Sequence, residues 1–314
     1  MLRSATTLAA ALALLASTTG LARAADAEAC KTVRMSDPGW TDITSTNAIL
    51  GNLLEPLGYQ QNIDNLGVPI TFEALKNSQI DAFLGNWMPS QAGMVAPLIE
   101  SGSMEVLTEN LTGIRFTLAV PNYVAEAGIK SMADVAANPD KFDREIYGIE
   151  SGASANQNIE KIIADPEFGL DGWSLVESSE QAMLSQVDRA GRSGKWIVFL
   201  AWEPHPMNVK FPLTYLSGAD KYFGELGSTT VRTVTRRSFA EECPNLAKLL
   251  RQVVFDVDTE NRIMGAILDD GADASDAAAA EIKANPDKLD QWLAGVTTFD
   301  GADGAAAVKS ELGL

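Results

Sequence analysis

The regular exchange of short apolar strands for amphipathic helices narrows the folds open to this chain more than any other feature. "KTVRMSD" alternates like a strand and ends in the loop signal "PGW". "ITSTNAILGNLLEPLGY" follows with Ile49, Leu50, Leu53, Leu54 and Leu57 at helical spacing, and Gly58 stops it. A helix around Phe72 to Lys76 leads to a strand from Ile80 to Leu84, which the pattern predicts to break at Gly85, Asn86 and Trp87. "IRFTLAVP" reads as a strand and "YVAEAGIKSMADVA" as helical. "REIYGIESGASANQNIEKII" reads as strand, turn and helix. "WSLVESSEQAMLSQVDRA" is a strand and then a helix, which a capping box from Ser178 to Gln181 is predicted to open. "WIVFLAW" is a buried-type strand. Residues 269–280, rich in alanine and acid, predict a helix with its lead-in, and "DQWLAGV" predicts another. Strands exchanged for helices in this way predict α/β lobes with largely parallel sheets. In open sheets of that kind, ligands bind beyond the carboxyl ends of the strands.

The chain's beginning and its cysteines set the compartment. Arg3, the apolar run 8–16 and the small-x-small site Ala22, Arg23, Ala24 predict a cleavable secretory signal peptide over residues 1–24. The apolar run is shorter than the ~20 residues that span a membrane. About 290 residues then remain, more than one core usually serves, so two lobes are expected. Two cysteines, Cys30 and Cys243, have no CxxC spacing. In an exported protein such a pair predicts a structural disulfide rather than a metal site. The 24 Lys and Arg stand against 42 Asp and Glu, a net charge of −18. Loss of Arg3 and Arg23 with the signal peptide leaves 22 bases against 42 acids, a balance of −20. Nucleic acid is thereby disfavoured as a partner, because neutralising phosphates requires a basic surface.

Chemistry is concentrated where strands end. Trp40 in "SDPGWTDIT", Trp87 in "FLGNWMPS" and Trp202 in "FLAWEPHP" each stand beside Gly or Pro. One such tryptophan is ordinary packing, but three in the same setting suggest walls of one aromatic cage. A quaternary ammonium has no N–H to donate, and its charge is spread over methyl groups. The negative faces of indole rings can surround it, each contributing about 0.5 to 2 kcal/mol. An enzyme would have to work through His205, the chain's single histidine, which lies between two prolines. No Gly-x-Ser-x-Gly elbow accompanies it, nor a set of His or Cys metal ligands. A binding protein without catalysis, cofactor or metal is the expectation.

The stretches "GWTDIT", "FLGNWMP", "IYGIE" and "VFLAWEPHPMN", with both cysteines and the "ECPN" around Cys243, resemble the substrate-binding proteins of choline and glycine-betaine ABC importers, most nearly the periplasmic choline-binding kind. The resemblance runs over nearly the whole mature chain. It implies an α/β, two-lobed periplasmic binding protein fold, type II-like, with a hinged cleft that closes on its ligand and delivers it to a membrane permease. Residues 25–113 and 205–314 are expected in lobe one and residues 114–204 in lobe two, in a monomer. The ligand expected is choline. Glycine betaine, carnitine or another methylated amine is the alternative, as is a chemosensory protein of the same fold.

Carried over residue by residue, Trp40 and Trp87 become cage walls from the first lobe and Trp202 a wall from the second. Asp42 and Asn156 become partners of the ligand's polar end. The fourth wall, a tyrosine in such relatives, is Phe116 here, so a ring is kept and a hydroxyl lost. The turn at 151–154 also departs from the family pattern, which is richer in proline and glycine. Asp42 and Asn156 have a second reading, as caps of the helices near them.

Overall fold

The computed structural model describes residues 26–314; the expected signal peptide lies outside the described residues. Ten strands occur among them: β1 (Thr32–Asp37), β2 (Gln60–Asn65), β3 (Ala82–Met88), β4 (Met104–Ile114), β5 (Phe116–Pro121), β6 (Glu145–Tyr147), β7 (Ser174–Val176), β8 (Phe199–Trp202), β9 (Leu213–Tyr215) and β10 (Thr229–Arg236). They form two five-stranded sheets, ordered β2-β1-β3-β10-β4 and β7-β6-β8-β5-β9. In the first, β1 runs parallel to β2 and β3, while β10 is antiparallel to both its neighbours. The second repeats the plan, with β6 parallel to β7 and β8, and β5 antiparallel to β8 and β9. The largely parallel α/β sheets expected from the alternation are therefore present, each with one reversed strand. Main chain leaves the first sheet at Ile114, crosses through Arg115 to β5, and returns between β9 and β10. Strands β8 and β9 lie on either side of residue 204 and share the second sheet.

Four helices carry the buried polar residues Asp42, Asn156, Glu180 and Glu260: in that order, α1 (Thr41–Leu54), α2 (Ser154–Ala164), α3 (Glu180–Ser193) and α4 (Val257–Leu268). Helix α1 buries Ile43, Ile49, Leu50, Leu53 and Leu54, all 1% exposed or less, so the periodicity in the sequence is a core face. Helix α3 begins one residue later than the capping box predicts. Ser179 is the N-cap and accepts from the Ala182 N–H, so Ser178 and Gln181 lie one register off. Strand β3 also departs from expectation by running straight through Gly85, Asn86 and Trp87. Gly85 is there for space: a Cβ would meet Phe83 Cζ at 2.6 Å and Ile43 Cδ1 at 2.7 Å.

The expected disulfide joins Cys30 to Cys243 across 213 residues, with Cα atoms 5.7 Å apart. It ties the segment before β1 to the helix Pro244–Gln252. Beside it, Asp26 accepts from the Asn245 and Leu246 N–H groups and from the Tyr59 hydroxyl. Among the described residues no helix is long and apolar enough to cross a membrane.

Candidate functional site

Between the two sheets lies a small cavity lined by Trp40, Asp42, Trp87, Phe116, Ile149, Ser154, Ala155 and Trp202. Five of the six candidate residues meet there: Trp40 and Asp42 from the start of α1, Trp87 and Trp202 from near the ends of β3 and β8, and Phe116 from the start of β5. Gly39 has φ +90° and donates its N–H to Asp37 Oδ1 at 2.7 Å, a turn that places Trp40 at the N-cap position of α1. Trp40 Nε1 then donates to Glu150 Oε1 at 2.8 Å, reaching from the first sheet's side of the cleft to the second's. Trp87 stands near the end of β3, held by Gln91, whose Oε1 accepts from the Trp87 N–H at 3.1 Å and from Asn86 Nδ2 at 3.0 Å. Gln91 is fully buried, and no pattern in the sequence pointed to it. Register joins the other two walls, because Phe116 of β5 pairs directly with Trp202 of β8. The Trp87 and Phe116 rings have centroids 5.1 Å apart.

The acidic groups are as informative as the rings. Asp42 is the second residue of α1, so it does not cap that helix, and its side chain is 2% exposed with Oδ1 lacking any hydrogen-bond partner. Burial, and then the negative charge of Glu180, push its carboxyl well above the usual range. Burial likewise raises Glu150, against the opposing bond from Trp40. Asp37 is raised by burial as well. None of the residues lining the cavity is Lys or Arg. The cavity is therefore lined by four aromatic residues and a buried carboxyl with no basic residue beside it, an environment deficient in positive charge.

Asn156 is not among the lining residues. Its Oδ1 accepts from the Ile149 N–H at 3.0 Å, and its Nδ2 donates to Ile149 O, Glu150 O and Glu177 Oε1 at 2.9 to 3.1 Å. The amide is committed to the turn that presents Ile149 and Glu150, and it does not cap α2, whose N-cap is Ala153. From α2 itself, Ser154 and Ala155 reach the cavity. His205 is 1% exposed and outside the cavity. Its Nδ1 accepts from the Met207 N–H at 2.9 Å, which leaves the ring proton on Nε2 to face Glu180 Oε1 at 3.2 Å.

Two α/β sheets facing each other across a small cavity, with side chains bonded across it, define a two-lobed ligand-binding protein. The family model for the substrate-binding domain of ABC-type glycine betaine transport systems matches residues 31–284, and the chain belongs to that family. An ABC-transporter choline-binding protein solved in complex with choline is 51% identical, with 91% of this chain and 100% of that one covered and a TM-score of 0.89. The unliganded, semi-closed form of an ABC-transporter choline-binding protein is 52% identical over the same shares, with a TM-score of 0.84. The glycine betaine/carnitine transport binding protein GbuC of Listeria monocytogenes is 30% identical over 162 residues, which are 52% of this chain and 53% of that protein. The fold is thus the two-lobed binding-protein fold that the sequence led us to expect.

Proposed function

We propose that this protein captures choline for an ABC importer, holding the trimethylammonium group in the cage of Trp40, Trp87, Phe116 and Trp202. The carrying observation is the pairing of that cage with Asp42, whose buried Oδ1 has no partner within the protein. A bound cation supplies the missing counter-charge, and the ligand's hydroxyl supplies a donor to the same carboxylate. A betaine or carnitine carboxylate would instead enter a cavity whose lining holds an acid and no base. The N-terminus of α2 at Ser154 is the feature that favours a carboxylate, through roughly half a charge. Once ionised opposite the ligand's ammonium, the Asp42 carboxylate carries a full charge and outweighs it. Phe116 provides a cage face and no hydroxyl, so the ligand's polar end depends on Asp42 more heavily. We read Asn156 as shaping the turn at Ile149 and Glu150.

The protein acts by binding and release, without catalysis, in the periplasm, and passes its ligand to a membrane permease. His205 supports this reading, since it is sealed from the cavity and engaged at both nitrogens. The second lobe extends in our reading from residue 116 to about 224, supported by the pairing of β9 with β5. Isothermal titration of the purified protein tests the function. One site for choline is expected, and the absence of binding by choline, betaine and carnitine alike would reject it.

A further inference from the structure

Glu180 is a buried acid that neither the cage nor the fold of its own lobe explains. It is the first residue of α3, its side chain is fully enclosed, and it does not line the cavity. Its Oε1 faces His205 Nε2 at 3.2 Å, a contact within the second lobe. The rest of its bonding capacity goes to the opposite lobe: Oε1 accepts from Thr41 Oγ1 at 2.6 Å and Oε2 from the Thr41 N–H at 3.0 Å. Thr41 is the first residue of α1, so that N–H has no partner inside the helix, and a carboxylate there also meets the positive end of the helix dipole. Thr41 is flanked by Trp40 and Asp42, a wall and the acid of the cage. Neither Thr41 nor Glu180 reaches the ligand space itself.

We propose that Glu180 is the positioning residue that couples ligand capture to lobe closure: anchored by His205, it grips Thr41 and so fixes Trp40 and Asp42 against the ligand only when the lobes meet. The inference rests on the quaternary-amine reading of the cage. In an open cleft the two lobes separate, Thr41 loses its partner, and the first turn of α1 regains freedom. Binding energy at the cage and hydrogen bonds at Thr41 thus form together, and the contact acts on how long the ligand stays rather than on how fast it arrives.

The test is a double-mutant cycle across the cleft, with Glu180→Gln on one side and Thr41→Val on the other. Choline dissociation is read by stopped-flow tryptophan fluorescence and affinity by calorimetry. Glu180→Gln keeps the shape but loses the charge and one acceptor, and Thr41→Val loses the hydroxyl. Each is expected to speed dissociation about five- to thirtyfold, with association changed less than about threefold. The double variant should be no more than about threefold worse than the poorer single one, because both act on the one Thr41–Glu180 contact. Thr41→Ser, which keeps the hydroxyl, should restore the wild-type rate. Losses that multiply, or unchanged dissociation in Thr41→Val, would overturn the proposal even if Glu180→Gln folds poorly. Nitroxide labels on the two lobes of the ligand-free protein give a second reading. A lower closed fraction in both variants supports the contact, and unchanged distances reject it. Wild-type protein that binds no quaternary amine would reject the cage reading alone.

Discussion

Replacing Asp42 with Asn keeps the shape of the cavity and removes the one ionisable group that lines it. Asp42 is 2% exposed and no basic residue lines the cavity, so on the function proposed the ligand's ammonium is the counter-charge it meets. At about 5 Å and an effective dielectric constant of about 20, the attraction is about 3 kcal/mol. Part of that is offset because the neutral variant no longer buries an ion when the cleft closes. A net loss of about 1.4 to 2.7 kcal/mol weakens choline about ten- to hundredfold. Glycine betaine should lose far less, because the same change relieves repulsion of its carboxylate. The wild-type preference for choline, expected to be at least about tenfold, therefore narrows in the variant. A pH effect accompanies it. The Asp42 carboxyl is pushed up by burial, by Glu180 across the cleft and by Asp37. Buried Glu260 on α4, itself pushed well above its usual range by burial and then by Asp42, belongs to the same acidic group. A carboxyl with a higher pKa closed than open takes up a proton on closing. Acid thus favours the closed empty form, whose fraction rises as pH falls through the raised pKa and levels off near the ordinary value of about 4. Label-to-label distances against pH read this, and Asp42→Asn should remove most of the dependence. Choline affinity within about threefold of wild type, with an unchanged choline-to-betaine ratio, would refute the reasoning.

The walls and the staple give further outcomes. Trp40→Ala, Trp87→Ala and Trp202→Ala should each weaken choline at least about tenfold by calorimetry, and normal binding by two of the three would mean the cage is elsewhere. Phe116→Ala should also weaken binding, whereas Phe116→Tyr should hold affinity within about threefold, since the ring face is kept. Removing the Cys30–Cys243 bridge with the double Ala variant should lower stability by about 2 to 5 kcal/mol in urea unfolding; an unchanged midpoint would show that the bridge constrains nothing.

What the sequence disclosed was chemistry set by near neighbours. Trp40, Trp87 and Trp202 announced themselves because Gly or Pro beside a strand end leaves an indole little core to join. Both sheets followed from the exchange of strand and helix patterns. What stayed hidden depends on partners far along the chain. Glu180 bonds Thr41 across 139 residues, and Glu150 receives Trp40 across 110. Read locally, both are acids at a helix start or in a turn. Asn156 was visible as a polar residue at the start of α2, but its commitment to the Ile149 backbone depends on how the 149–156 turn folds back. Gly85 resembled a strand breaker, because sequence does not reveal that Phe83 and Ile43 close in on it.

On the function proposed, the cavity recognises a positive charge through ring faces and Asp42, rather than a trimethylated shape. The direct measurement is calorimetry of wild-type protein with choline and with 3,3-dimethylbutan-1-ol, which places carbon where choline has nitrogen and keeps both size and hydroxyl. Four rings at even the low end of their range contribute about 2 kcal/mol, and the charge on Asp42 adds to that. The neutral isostere should therefore bind at least about a hundredfold more weakly than choline. Affinities within about threefold of each other would contradict charge recognition, because apolar burial alone would then account for binding.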